Sequence, residues 1–289
     1  MSLSPFIEEP DTASPLARIV LLTLVGLVVG AAGSLAAIGF VELVGWLNRV
    51  LLVSPRTRVQ YEEHAWLVTA ATVLVPTLGG LVVGLLTSKI SAVKGALGPA
   101  GVIRAVQLRS DLPRWRSGWT LIGASAISLG CGASVGQYGP MVYLGAMFGD
   151  LVGKLRVGIA NLSSISIACG VAAAIATAFN APIAGLVFAH EVVLRHYSTQ
   201  AFAPTTVAAS VGYIMANVVF DRPPLFLVSF SGVEHSYEFV LFGLLGLVCA
   251  VVAIVFMRLL LFVSAHAAKT RLPVCMRPMG AGLCLGLVG

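Results

Sequence analysis

LGCGASVGQYGPMVYLGAMFGDLVG, residues 129–153, carries one charged side chain, Asp150, yet it does not read as a plain membrane helix. Gly136, Gly139-Pro140, Gly149 and Gly153 interrupt it. The charge-free run that holds most of it extends over 117–149, and the next, 157–189, is broken at Gly170, Pro182 and Gly185. Irregular backbone at membrane depth survives only where protein or a water-filled cavity covers it. Broken helices in mid-membrane are characteristic of transporters and channels. The stretch therefore points to an all-α polytopic membrane protein with broken or re-entrant helices.

The rest of the chain agrees. Charged residues make up 10% of 289 positions and hydrophobic ones 58%, against roughly a quarter charged in soluble domains. A bilayer-spanning helix needs about 20 mostly apolar residues. Charge-free runs on that scale also cover 19–41, 64–88, 197–220 and 239–257. A soluble core could hide one such run, not six. The first is no signal peptide: Glu8, Glu9 and Asp11 make the preceding tail acidic, and the run is too long for an h-region. The five cysteines form no CxxC pair and read as small buried thiols.

Basic residues are unevenly placed. Lys89, Lys94, Arg104, Arg109, Arg114 and Arg116 face one acid, Asp111, and 258–277 holds four basic residues and no acid. The stretch 221–238 has Asp221, Glu234 and Glu238 against Arg222. By the positive-inside rule the first two stretches, and with them the amino terminus, are cytoplasmic. Loop 49–63 then falls outside, against the grain of Arg49, Arg56 and Arg58. The net charge of +6 follows from such loops and calls for no nucleic acid. Small residues four apart, at Gly26/Gly30, Gly80/Gly84, Gly132/Gly136 and Gly145/Gly149, allow close helix approach. The apolar ending, Gly286-Leu287-Val288-Gly289, reads as a segment cut short.

Three stretches could carry chemistry. In Gly136-Gln137-Tyr138-Gly139-Pro140, Pro140 suits the first turn of a helix, running from about 140 to 150. A helix start inside the membrane presents unpaired N–H groups and a positive dipole end, which together form an anion site. The same residues could instead make a tight interhelical turn. In Phe179-Asn180-Ala181-Pro182, Asn180 can cap and Pro182 can begin a helix. Gly95-Ala96-Leu97-Gly98-Pro99 is a third and weaker start. Three such starts in one apolar chain favour anion handling.

At these residues the sequence resembles the CLC chloride channel and transporter family. Residues 129–153 are similar to its G(K/R)EGP segment and the small-residue helix after it. GVAAAIATAFNAPIAGLVFAHEVVLR, residues 170–195, is similar to its AAAFNAPLAG…E segment. The resemblance implies an inverted-repeat fold. After a tail of 1–15, residues 16–222 would form the first repeat and 223–289 the start of a second, incomplete one. It implies an anion site at Ala96, Gly98, Gly136, Gln137, Tyr138, Gly139 and Pro140, with chloride as the ion. It also implies a homodimer in the lipid of the plasma (inner) membrane, and no cofactor or metal.

Three family side chains are missing. The gating glutamate of GREGP falls on Tyr138, the serine of GSGIP on Ala96, and the internal proton-carrying glutamate on Val192. Glu191 matches the acid just before that last position and remains the internal acid candidate. An acid in an apolar run is a functional candidate; its plainer role is a hydrogen-bonded acid at a helix end. Tyrosine stays neutral near pH 7 and relays no proton as a carboxylate does. The expectation is passive anion conduction with Tyr138 as a bulky neutral gate. A non-conducting remnant is the alternative. A membrane-embedded enzyme is weaker, since His190 and Glu191 are nearly its only candidate groups. His190-Glu191 begins an HExxH pattern that Leu194 breaks. The other histidines, His64, His196, His235 and His266, read as loop-proximal. Glu42 and Asp150 are expected near helix ends or in polar contacts, and Trp115 and Trp119 as interfacial aromatics.

Overall fold

The computed structural model describes residues 15–52, 65–90, 98–108, 110, 112, 115–155, 159, 161–197, 199–222, 232, 235–270 and 272–288. Among these residues every regular element is helical. In chain order they are α1 (Pro15–Leu51), α2 (Ala65–Ile90), α3 (Pro99–Gln107), α4 (Trp115–Gly130), α5 (Tyr138–Gly153) and α6 (Leu162–Phe179). Then come α7 (Pro182–Phe188), which runs on as a π-helical turn Ala189–Leu194, and α8 (Thr199–Ile214), which does the same over Met215–Val219. The last two are α9 (Tyr237–Lys269) and α10 (Arg277–Val288).

Among the described residues five helices are long and apolar enough to cross a bilayer: those over 17–51, 68–88, 162–179, 199–219 and 237–267. The run 117–149 is not a sixth span. It holds two helices, α4 and the start of α5, separated by an irregular turn over 131–137. The 157–189 run likewise divides into α6 and α7 at Asn180-Ala181. Both divisions follow from the glycines and prolines. Gly136 adopts φ 77°, backbone that glycine enters at no steric penalty.

Helix α6 forms the centre, with 78% of its span buried, and α1, α5, α7 and α8 pack around it. Its run Val171–Ala176 is small and almost wholly buried, which lets neighbouring backbones come close. A Cβ at Gly145 would overlap the carbonyl of Gly170, and one at Gly149 that of Ser166. Gly26 and Gly30 face Pro204 and Ala208 of α8 in the same way, and Gly80 and Gly84 of α2 face Pro278 and Cys275. Three of the four glycine pairs thus serve close packing. The fourth, Gly132/Gly136, lies in the turn, with both residues at positive φ.

Helices α1 and α8 run parallel, in step along most of their length. Arg18 donates to Gln200 Oε1 at 2.7 Å near their starts. Gly26 meets Pro204 and Gly30 meets Ala208 further along, and Glu42 pairs with Arg222 near the far end. Helix α1, at about 1.5 Å per residue, is some 55 Å long, well beyond the roughly 30 Å hydrocarbon thickness. Helix α2 packs on α10 and α4. Helix α9 is exposed along its whole apolar length, with none of its span buried.

Candidate anion site at converging helix starts

Two of the three expected helix starts meet. Helix α3 begins with Pro99 in its first turn behind Gly98, at φ 81°. Helix α5 begins at Tyr138. A Cβ added to Gly139 would stand 3.5 Å from Pro99 Cδ, so the first turns of α3 and α5 approach to within the reach of a single methyl group. The first ladder bonds run from Val102 N–H to Gly98 O at 3.1 Å and from Met141 N–H to Gln137 O at 3.3 Å. The amides ahead of those bonds are the unpaired ones of a helix start. Aligned peptide dipoles place about half a positive charge at each such end. Gly98, directly before Pro99, thus lies near the contiguous segment Gly136, Gln137, Tyr138, Gly139 and Pro140; Ala96 lies outside the described residues.

The start of α5 differs from expectation by two residues. Helical backbone begins at Tyr138, not Pro140, with Gln137 in the position before it. Pro140 has no N–H to lose from the ladder within the first turn, so it is tolerated at the third helical position as well as the first. The shift puts the Tyr138 side chain on the first turn itself. Its ring packs against two others. Phe179, the last residue of α6, has its ring centre 6.1 Å away, and Phe188, the last of α7, lies 5.8 Å away edge-on at 86°. Neither ring contact is legible in the sequence, since an aromatic in an apolar run carries no signal of its partner.

The third start, at Pro182, exists, with Ala181 and not Asn180 in the capping position. Asn180 instead ends α6 in left-handed backbone, φ 55°. Asparagine is one of the few residues that tolerate this conformation. Its Oδ1 accepts from Asn217 Nδ2, which ties the α6–α7 turn to the end of α8.

The internal acid and its neighbours lie on the π-helical turn after α7. Glu191 is exposed, Val192 is half-buried, and among the described residues Glu191 has no ion pair. The hydrogen-bonded role weighed for it has no described partner. His190, just before it, is fully buried. Its Nε2 lies 3.0 Å from Thr205 Oγ1 and its Nδ1 3.4 Å from His196 O. Tyr197 stacks on its ring at 5.4 Å, with the planes 5° apart. This is a structural histidine. The turn packs against α3, α6 and α7, so it buttresses α3, one of the two converging starts. His266 lies inside α9, one turn from its end, rather than in a loop; His64 lies outside the described residues. Glu42 pairs with Arg222, and Asp150 with Lys154 at 2.6 Å near the end of α5. Among the described residues no cluster of three metal-ligating side chains forms.

Comparison with known proteins turns this geometry into a family. The profile described as "Voltage gated chloride channel" matches residues 79–289. The chain belongs to that family. A ClcB-like protein of Ralstonia nicotianae is 30% identical over 92% of this chain and 62% of its own length. The chloride channel protein CLC-f of Arabidopsis thaliana is 24% identical over 92% of this chain and 35% of its own. The H(+)/Cl(-) exchange transporter ClcA of Salmonella paratyphi B is 26% identical, covering 95% and 59%. The crystal structure of a slow cyanobacterial Cl−/H+ antiporter superposes with a TM-score of 0.76 at 22% identity, over 96% of this chain and 64% of that one. The fold is the all-α fold of the family, and the chain is a multi-pass membrane protein. It spans about three-fifths of the length of the ClcB-like and ClcA relatives.

Proposed function

We propose that this voltage-gated chloride channel family member takes part in moving chloride or a similar small anion across a membrane, and that it does so passively, without coupled protons. The observation that carries the reading is the close approach of the first turns of α3 and α5, with Tyr138 on the second of them. Backbone amides and helix dipoles supply the positive potential there. Selectivity of this kind needs binding that is favourable but weak enough to release the ion, and unpaired amides without a fixed cation fit that need. Gly98, Gly136, Gln137, Gly139 and Pro140 shape the site, and the resemblance adds Ala96 to it. Tyr138, braced by Phe179 and Phe188, is the gate.

Passive conduction rests on two positions. Tyr138 and Val192 stand where the resemblance places carboxylates, and neither can carry a proton near neutral pH. Glu191 is the one acid on that turn, and its exposure leaves it outside the packed interior. The active unit is a homodimer in a lipid bilayer, the plasma (inner) membrane, with the amino terminus on the cytoplasmic side. Residues 16–222 act as one repeat, and 223–289 belong to a second.

The test is to measure chloride and proton movement together in liposomes containing the full chain. The expected outcome is chloride efflux, sped by a potassium ionophore, with no proton movement against its gradient. Proton uptake driven by a chloride gradient would overturn passive conduction. No chloride movement at all would favour a non-conducting form.

A further inference from the structure

A cavity of about 330 Å³ opens beside the aromatic gate, lined by Gln137 and Asn180, the chain neighbours of Tyr138 and Phe179. Its walls come from the far half of α1, the start of α5, and the ends of α6 and α8. Glu42 and Arg49 line it from α1, Gln137 from the turn before α5, Asn180 from the end of α6, and Arg222 from the segment after α8. A single water needs about 10–15 Å³, so a small anion fits together with part of its hydration shell.

The cavity's chemistry is lopsided towards donors. Each guanidinium offers five N–H groups and no acceptor. Arg222 directs one nitrogen to the Glu42 carboxylate. Arg49 has no ion pair among the described residues. Gln137 makes no side-chain capping bond, and Asn180 uses its oxygen, not its nitrogen, to meet Asn217. Thr177 spends its hydroxyl on Gly212 O at 3.1 Å. Two guanidiniums and two amide groups thus face one carboxylate, and the charge of the lining sums to one positive unit. That lining is complementary to one monovalent anion.

We infer that this cavity is a second anion site, for a chloride-sized monovalent ion, and that the Glu42 carboxylate competes with that ion for Arg222. Arg49 is the permanent anchor. Glu42 is mostly exposed and Arg222 largely buried, 64% against 23% side-chain exposure. The acid is therefore the partner free to swing away when an ion arrives. Gln137 links the cavity to the converging helix starts, because it lines the cavity and directly precedes Tyr138. The inference deepens the proposed anion pathway by giving it an entry site on the side where α1 ends.

Bromide is the probe, because its anomalous scattering locates it. Crystals of the full chain soaked in bromide are expected to show a peak between Arg49 and Arg222, and Arg49→Gln to abolish it. Calorimetric titration of chloride against a gluconate background is expected to show about tenfold weaker binding in Arg49→Gln. In Glu42→Gln binding should tighten several-fold. Arg49→Gln leaves the Glu42–Arg222 tie in place, so its fold is checked independently by an unchanged thermal melt. No peak in the wild-type cavity, or chloride binding indifferent to both substitutions, overturns the inference. Bromide bound here in a chain that moves no chloride would sink the conduction reading and leave this site standing.

Discussion

The ring of Tyr138 meets the ring of Phe188 edge-on, centre to centre at 5.8 Å with the planes at 86°. This joins the first residue of α5 to the last residue of α7. Edge-to-face pairs of this kind contribute about 0.5–1.5 kcal/mol beyond their area. If the pair holds the gate closed, Phe188→Ala shifts the balance towards open by about two- to tenfold. Chloride efflux from liposomes is expected to rise by that factor. Efflux equal to or below wild type would show that Phe188 does not brace a gate.

Tyr138 itself separates bulk from chemistry. Its hydroxyl makes no hydrogen bond with a described residue, and its ring makes both aromatic contacts. Tyr138→Phe is therefore expected to leave efflux within about twofold of wild type, because no hydrogen bond is lost. Tyr138→Ala removes the ring and should raise efflux more than Phe188→Ala does. A Phe variant as altered as the Ala variant would assign the role to the hydroxyl and refute a steric gate.

Helix breaks were legible in the sequence because their causes are local. Proline at 99, 140 and 182 and glycine at 98 and 136 limit the backbone wherever they stand, so three starts could be read without a structure. What the starts meet was not legible. Phe179 and Phe188 reach Tyr138 only after α6 and α7 fold back, and Glu42 finds Arg222 from 180 residues away. Proline's tolerance anywhere in the first turn also left the start of α5 uncertain by two residues. Asn180 has two talents, capping and left-handed backbone, and the sequence does not say which one its position uses. Ser117, at the start of the 117–149 run, gave no hint that the run holds two helices; the glycines of the turn after Gly130 did.

The contact of α5 with α6 makes a stability prediction with an internal control. A side chain at Gly145 would run into the Gly170 carbonyl, while one at Gly39 would meet nothing within 4 Å. Overpacking a tight interface costs about 1–3 kcal/mol and occasionally more. Gly145→Val is expected to lower the detergent melting temperature by several degrees or to abolish folded yield. Gly39→Ala should be neutral or stabilising, by up to about 1 kcal/mol of helix propensity. Equal effects at the two positions would mean that α5 and α6 do not approach as described.

His190 sets a second stability test, at the back of the site. Thr205 Oγ1 lies 2.6 Å from Ala201 O and 3.0 Å from His190 Nε2, so the hydroxyl bridges the backbone of α8 and the ring. Replacing the ring by alanine leaves a cavity under Tyr197 and Phe202 and takes away the ring partner of the Thr205 hydroxyl. A buried polar group left unpaired costs about 1–3 kcal/mol, and the lost ring volume adds to it. His190→Gln keeps an N–H within reach of Thr205 and should recover part of the loss. Because the turn packs on α3, His190→Ala should also slow chloride efflux through a loosened helix start, while His190→Gln restores it. If the two variants melt alike and conduct alike, the hydrogen bond to Thr205 contributes nothing, and the turn is held by ring packing alone.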